Sequence, residues 1–310
     1  MRLRSSLEKQ ACGRLVQSDK ADISSVAGHK KRGFCGLWSR AAITALSGMM
    51  LEPSARAEQK PLWELGLGVG TLVFADYRGA DSTHVYPIPV PYFVYRGKFF
   101  SADRNGVREK LFDQDLAELN ISVNGTTPVR NNAARAGMPD LRPTLEIGPS
   151  LNVHLWRSAS DQFKLDLRLP ARFAFTVESS PRAIGGTLAP NLNLDVNDIG
   201  GLKGWYFGFL TGPLFSNRRY NEYFYAVTPQ FATLTRPAYE PHGGYAGTQM
   251  ITSVSKRYPS YWVGAFLRYD TLSGASFENS PLVKRAGYWS AGFGMAWMIG
   301  QSSRLVEAED

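Results

Sequence analysis

Cysteine is almost absent from this 310-residue chain: Cys12 and Cys35 are the only two, both ahead of a small-x-small site at Ala55-Arg56-Ala57. From Glu58 onward there is none, which excludes a disulfide framework and a thiolate zinc site in that part. No run of 18 uncharged apolar residues occurs, so a lasting transmembrane helix is excluded as well. Histidine is scarce, and His84, His154 and His242 stand far apart with no His-x3-His pair. No metal or cofactor is expected. A one-sided charge is also missing where it would matter. The formal net charge is +8, but residues 1–57 hold ten Lys/Arg against four Asp/Glu; the rest keeps 25 (35 − 10) against 23 (27 − 4). That near-neutral balance excludes a basic groove for nucleic acid. With 44% hydrophobic and 20% charged residues the chain is not disordered either.

What is present begins with an address. His29-Lys30-Lys31-Arg32 opens a cationic stretch that runs to Arg40, and an apolar segment follows from Ala41 to Leu51. Glu52-Pro53-Ser54 then breaks any helix ahead of the small-x-small site. This is the order of a secretory signal peptide, with cleavage expected between Ala57 and Glu58. The expected organisation is a polar extension over 1–29, a signal peptide over 30–57 and one domain over 58–310. Val26 is a candidate alternative start. Cys35 follows Arg32-Gly33-Phe34, which lacks a lipoprotein pattern. Sec-type export without disulfides leaves the periplasm or the outer membrane of a Gram-negative cell.

Strand patterning separates those two. Phe163, Leu165, Leu167, Leu169, Ala171, Phe173 and Phe175 alternate with Lys164, Asp166, Arg168 and Arg172. A period of two is a strand with unlike faces, and fourteen residues exceed the usual soluble strand of about five or six. Leu145, Ile147, Leu151, Val153 and Leu155 repeat the pattern, with Arg157 to Asp161 as the turn between the two runs. Residues 63–73 and 288–299 alternate the same way, with glycine and small residues on one face. So do 205–209 and 261–269, and more weakly 90–101, 106–113, 115–124, 186–197, 222–230 and 246–257. The expected fold is all-β, an antiparallel transmembrane barrel of about 10–12 strands. The soluble alternative, a sandwich or lipocalin-like barrel, would turn the apolar face inward. An even count puts both ends in the periplasm and residues 75–88, 231–245 and 271–286 outside. Residues 124–140 then fall on the opposite side.

Several stretches occur in an order that resembles the MipA/OmpV family of outer-membrane proteins, the MltA-interacting proteins. They include Asp76-Tyr77-Arg78-Gly79, Pro87-x-Pro-x-Pro91-Tyr92, Tyr95-Arg96-Gly97-Lys98-Phe99-Phe100 and Leu141-Arg142-Pro143-Thr144-Leu145-Glu146-Ile147-Gly148-Pro149. Tyr223-x-Tyr225-x-Val227, Arg236-Pro237-x-Tyr239, Gly243-Gly244-Tyr245-x-Gly247 and Ser280-Pro281-Leu282-Val283 continue the series. The resemblance runs from about residue 62 to 299. It implies a non-enzymatic outer-membrane barrel that scaffolds a lytic transglycosylase and a bifunctional penicillin-binding protein, or that supports envelope integrity under stress. It implies no catalytic residues. The tail Glu307-Ala308-Glu309-Asp310 departs from the aromatic ending of many barrels, and Trp297-Met298-Ile299 stands in for it.

Charges form the main constellation. Glu64, Arg96, Lys98, Glu118, Glu146, Lys164, Asp166, Arg168, Arg172, Asp195, Arg268 and Asp270 fall on the inferred inward faces. They suit either a plugged barrel filled by ion pairs or a narrow selective channel. Tyr220, Tyr223, Phe224 and Tyr225, with Tyr258, Tyr261 and Trp262, read as girdle residues at headgroup depth. Arg218-Arg219 and Lys256-Arg257 would then meet anionic lipid headgroups, lipopolysaccharide among them. A third reading, an outer-membrane hydrolase, would need His84, His154 or His242 beside a nucleophile, and no spacing fixes that.

Overall fold

Side-chain alternation decides which face meets what. Along one 15-residue strand Trp289, Phe293 and Trp297 are exposed while Tyr288, Ser290 and Ala296 are buried. The computed structural model describes residues 59–96, 100–103, 106–109 and 116–307. The expected cleavage point at Ala57 and Glu58, the whole of 1–57, and Lys98 lie outside them.

The elements are β1 (Gln59–Pro61), β2 (Trp63–Ala75), β3 (Thr83–Arg96), β4 (Phe100–Asp103), β5 (Gly106–Glu109), β6 (Ala117–Thr126), β7 (Thr144–Arg157), β8 (Phe163–Thr176), β9 (Ala183–Leu188) and β10 (Asn191–Asn197). They continue with β11 (Trp205–Ser216), helix α1 (Arg218–Tyr225), β12 (Gly244–Arg257), β13 (Tyr261–Thr271), β14 (Gly287–Gln301) and β15 (Leu305–Glu307). Strands β2 to β14 form one antiparallel sheet of 13 segments that closes on itself, because β8 pairs with β10 as well as β9. β9 and β10 line up end to end against β8, interrupted at Ala189-Pro190. Counted as one stave they reduce the 13 segments to twelve.

The sheet closes where β14 meets β2, from Ala291–Val73 to Gln301–Glu64. Glycines make that seam possible. A Cβ on Gly68 would run into the backbone of Met295, and one on Gly70 would come within 2.6 Å of the Phe293 carbonyl oxygen. On the next strand Pro87, Pro89 and Pro91 all face outward, yet the β2–β3 ladder runs unbroken through them. Their missing N–H groups therefore fall on the edge away from β2, where proline is tolerated and blunts the strand.

Trp289 and Trp297 stand eight residues apart on the outer face of β14. That is about 27 Å along the strand, or about 20 Å along the barrel axis at the usual tilt, close to the apolar band of a membrane barrel. The two ends of the described segment meet where β1 pairs with β15, at what we call the terminal end. Turns at that end are short: 158–162, 198–204 and 258–260. The long connections 127–143, 217–243 and 272–286 gather at the other end, beside the shorter 76–82 and 177–182.

Two expectations are corrected here. Residues 127–143 lie at the same end as 272–286, not opposite, because β4 and β5 are four-residue strands that complete a pair inside the weakly patterned 90–124 stretch. And 222–230 does not form a strand, since α1 covers 218–225.

Candidate functional site

The far end is a cap, and it contains the apolar core of the molecule. Tyr77, Val129, Leu141, Tyr225, Phe277 and Leu282, drawn from four different connections, are all buried together. Tyr225 stacks on Phe277 with ring centroids 3.8 Å apart and planes within 9°. Hydrogen bonds tie the loops across large sequence distances. The Tyr77 hydroxyl donates to the Leu282 carbonyl at 2.9 Å, and the Tyr225 hydroxyl donates to the Arg78 carbonyl at 2.9 Å. Arg135 donates to the Phe224 carbonyl at 2.9 Å, while Arg236 reaches the carbonyls of Ala134 at 3.0 Å and Phe231 at 2.8 Å. Each arginine satisfies loop carbonyls that would otherwise be buried without partners.

α1 forms because Asn217 caps it, its side chain accepting from the Tyr220 N–H at 3.0 Å, and because Arg218 pairs with Glu222 one turn on at 2.6 Å. It rests on β9 at Gly185, whose φ of +131° and close approach to Asn217 and Tyr220 leave no room for a side chain. Its residues Tyr220, Phe224 and Tyr225 therefore pack into the cap instead of forming a girdle. Tyr220 donates to Glu146 at 2.7 Å and Tyr223 to the Arg142 carbonyl at 2.9 Å.

Cap tyrosines give a pH dependence. Burial pushes the Tyr77 hydroxyl up to about 12 from 10.0, with Asp81 and Asp76 adding to the rise and Arg135 opposing it. The raised value favours the protonated form in the folded cap. Its contribution, about 3 kcal/mol for two units, is complete below pH 10 and is lost as pH climbs through 12. Limited proteolysis of the 272–286 loop against pH is expected to show protection up to about pH 10 and progressive cutting by about pH 12, with Tyr77→Phe shifting that onset upward.

Below the cap, charged side chains on the buried faces of the strands stand in separate groups. Asp270, fully buried, accepts from Arg268 at 2.9 Å and from Arg78 at 3.2 Å; Arg78 also donates to the Tyr288 hydroxyl at 3.2 Å and the Ala246 carbonyl at 2.8 Å. Glu146 accepts from Thr187 at 3.1 Å and stands 3.9 Å from Arg172, whose Nε donates to Ser122 at 2.9 Å. Nearer the termini, Glu64 takes Arg96 at 3.1 Å and Arg257 at 2.8 Å. Arg168 lies 3.4 Å from Asp195 and 3.8 Å from Asp166. Asp195 also accepts from Tyr206. Lys164 projects from the same face of β8 beside Asp195 and has a partner of its own.

Parity missed three contributors. Arg78, Arg135 and Arg236 come from loops, which carry no period. Arg257, expected at the lipid surface, turns inward to Glu64, because it faces the inward Trp262 across the β12–β13 ladder. Its neighbour Lys256 stays outside, 5.7 Å over the Trp205 ring and 5.1 Å over that of Tyr258. Arg218 is held by Glu222 and Glu240.

The histidines fall apart from one another. His84 pairs with Asp76 at 3.0 Å in the cap, and the backbone carbonyl of His242 accepts from Asn221 at 2.7 Å. His154 Nδ1 meets Asp166 at 2.8 Å in the lumen. Among the described residues no serine or threonine hydroxyl is hydrogen-bonded to its other nitrogen. Nor, among them, do three or more metal-ligating side chains converge.

Residues 67–299 match the family described as MltA-interacting protein MipA. The chain belongs to that family. It is accordingly an outer-membrane β-barrel, and the closed antiparallel sheet agrees. No curated protein matches the chain. Among solved structures it is similar to an outer membrane channel from Pseudomonas putida F1, at 11% identity over 79% of this chain and 98% of that one, TM-score 0.42. A bacterial polysaccharide outer membrane secretin is similar at 10% identity over 76% and 99%, TM-score 0.37. The CymD monoaromatic hydrocarbon channel follows at 9% over 83% and 72%, TM-score 0.25. Likeness at that level says nothing of what this barrel binds or passes.

Proposed function

We propose that this member of the MipA family is a non-enzymatic, plugged barrel that anchors peptidoglycan-remodelling enzymes at the outer membrane. The cap supports that reading most: buried arginines and tyrosines tie four connections together across the far end. A barrel that conducts nothing is suited to holding a partner. The family's description as MltA-interacting points to a lytic transglycosylase, and the notion of a second partner, a bifunctional penicillin-binding protein, follows from the resemblance of the chain to scaffold proteins. Outer-membrane lipids and lipopolysaccharide would surround the outer face.

On this reading the end carrying the termini faces the periplasm, as an even count of strands favours, and the short turns 158–162, 198–204 and 258–260 form the docking surface. Cysteines introduced at Ser160 and Ser179, with Cys12 and Cys35 changed to serine, test the sidedness. A maleimide too large for general porins is expected to label position 179 in intact cells and position 160 only after permeabilisation; the reverse pattern would invert the orientation. Reversible crosslinking in intact cells, then purification from the solubilised outer membrane, tests the partner. Enrichment of a lytic transglycosylase or penicillin-binding protein over an unrelated barrel is expected. Recovery of lipopolysaccharide and assembly factors alone would move the channel reading to first place. That second reading draws on one observation, the partial exposure of lumen arginines such as Arg257 at 27% and Arg268 at 26%.

A further inference from the structure

The lumen has two unlike walls. Around the twelve staves, β13, β14, β2 and β3 stand directly opposite β6, β7, β8 and β10. The first wall is aromatic. Trp262 folds over Gly264 and Phe266 over Gly292, so closely that a Cβ at either glycine would collide with the ring above it. Tyr92 lies beside Trp262 with centroids 6.0 Å apart. Glycine beneath a ring lets it lie along the wall instead of standing across the lumen, and all three rings are only half-buried. Their faces are therefore turned to the interior space.

The second wall is made of amides and charges. Asn120, Asn191 and Asn193 are each about 5% exposed, and each has a side-chain atom without a hydrogen-bond partner among the described residues: Asn120 Oδ1, Asn191 Oδ1 and Asn193 Nδ2. Arg168 Nε is in the same position. Asn193 shares the inward face with Asp166, its pair on β8, and with Asp195. Buried polar atoms left unpaired in this number call for a ligand or for ordered water.

A pyranose ring matches both walls at once. Its C–H faces pack on aromatic faces, and its equatorial hydroxyls each donate and accept, which suits planar amide, carboxylate and guanidinium groups. An apolar aromatic solute would leave the asparagines unpaired. A simple ion would leave the rings without use. We propose that the half of the lumen next to the termini is a saccharide-binding cup, closed above by the cap and taking the end of a short oligosaccharide. The orientation proposed above decides only that the sugar comes from the periplasm; binding itself does not depend on it.

The test is calorimetric titration of the whole barrel in an amine-oxide detergent, since sugar-headed detergents would compete. The probes are N-acetylchitotetraose, maltotetraose and toluene. Saturable binding of at least one saccharide is expected, weakened about tenfold or more by Asn193→Leu, which removes a hydrogen-bonding partner, and similarly by Trp262→Leu. Trp262→Tyr should retain most of it, and the lipid-facing Trp289→Leu should leave it unchanged. Faster migration of the unheated than of the heated protein in detergent gels checks that each variant is folded. No saturable heat from either saccharide at millimolar concentration, saturation by toluene alone, or equal affinity in both folded lumen variants would overturn the proposal. Failure here leaves the crosslinking result untouched, so the two readings fall separately.

Discussion

Asp270→Ala is expected to make the barrel conduct, if the proposed plug holds the parent closed, and to cost about 3–5 kcal/mol of stability, the usual result of stranding a buried charge. Asp270 is fully buried between Arg268 on its own strand and Arg78 from the 76–82 connection. Without the carboxylate two guanidinium groups face each other in a low-dielectric space. Arg78 is the keystone of the cap as well, since its side chain also holds Tyr288 and the Ala246 carbonyl, and its own carbonyl receives the Tyr225 hydroxyl. Loss of the anion therefore loosens the loop, α1 and the top of β12 together. Planar-bilayer recordings should show steady current steps in Asp270→Ala and few in Asp270→Asn, which keeps the shape and an acceptor. Denaturant midpoints should fall in the same order. If Asp270→Ala stays closed and as stable as the parent, the arginine pair is not what holds the cap.

Gly68→Val should prevent the barrel from closing. Gly68 is on the lumen side of β2, where a Cβ would lie inside the backbone of Met295 on β14. Forcing bulk into a packed contact usually costs about 1–3 kcal/mol when neighbours can move. Here the obstacle is a strand backbone in the only seam that joins the first and last staves, so the loss should reach the upper end or beyond. Gel mobility of unheated samples measures the folded fraction directly. A loss of about 1.4 kcal/mol or more lowers the folded-to-unfolded ratio at least about tenfold, so at intermediate denaturant the folded fraction of Gly68→Val should fall well below the parent's, whereas Gly300→Ala, whose Cβ would meet only ordinary contacts with the Trp63 ring at 3.4 and 3.5 Å, should match the parent. Equal folded fractions for both variants would show that the seam has slack.

The barrel wall was legible because a strand's period is two residues, so one register assigns every side chain to lipid or lumen. Glu64, Glu146, Asp166 and Asp270 are all buried and all stand at alternate positions shared with polar neighbours on their strands. The cap was illegible by the same physics. Tyr223-x-Tyr225-x-Val227 alternates as a strand does, whereas in the fold the Asn217 cap and the Arg218–Glu222 pair hold that stretch as a helix. Arg78 sits in a stretch that reads as turn chemistry, with nothing to reveal that its side chain reaches back into the lumen. β4 and β5 are too short to show a period, which is why the side of 127–143 came out inverted.

A barrel closed at one end by its own loops is the claim on which the rest depends. Single-channel recording of the unaltered protein in a planar bilayer tests it most directly. We predict a quiet baseline over the ordinary voltage range, with the cap intact by proteolysis before and after. Steady, ion-selective conductance from the unaltered barrel would contradict it.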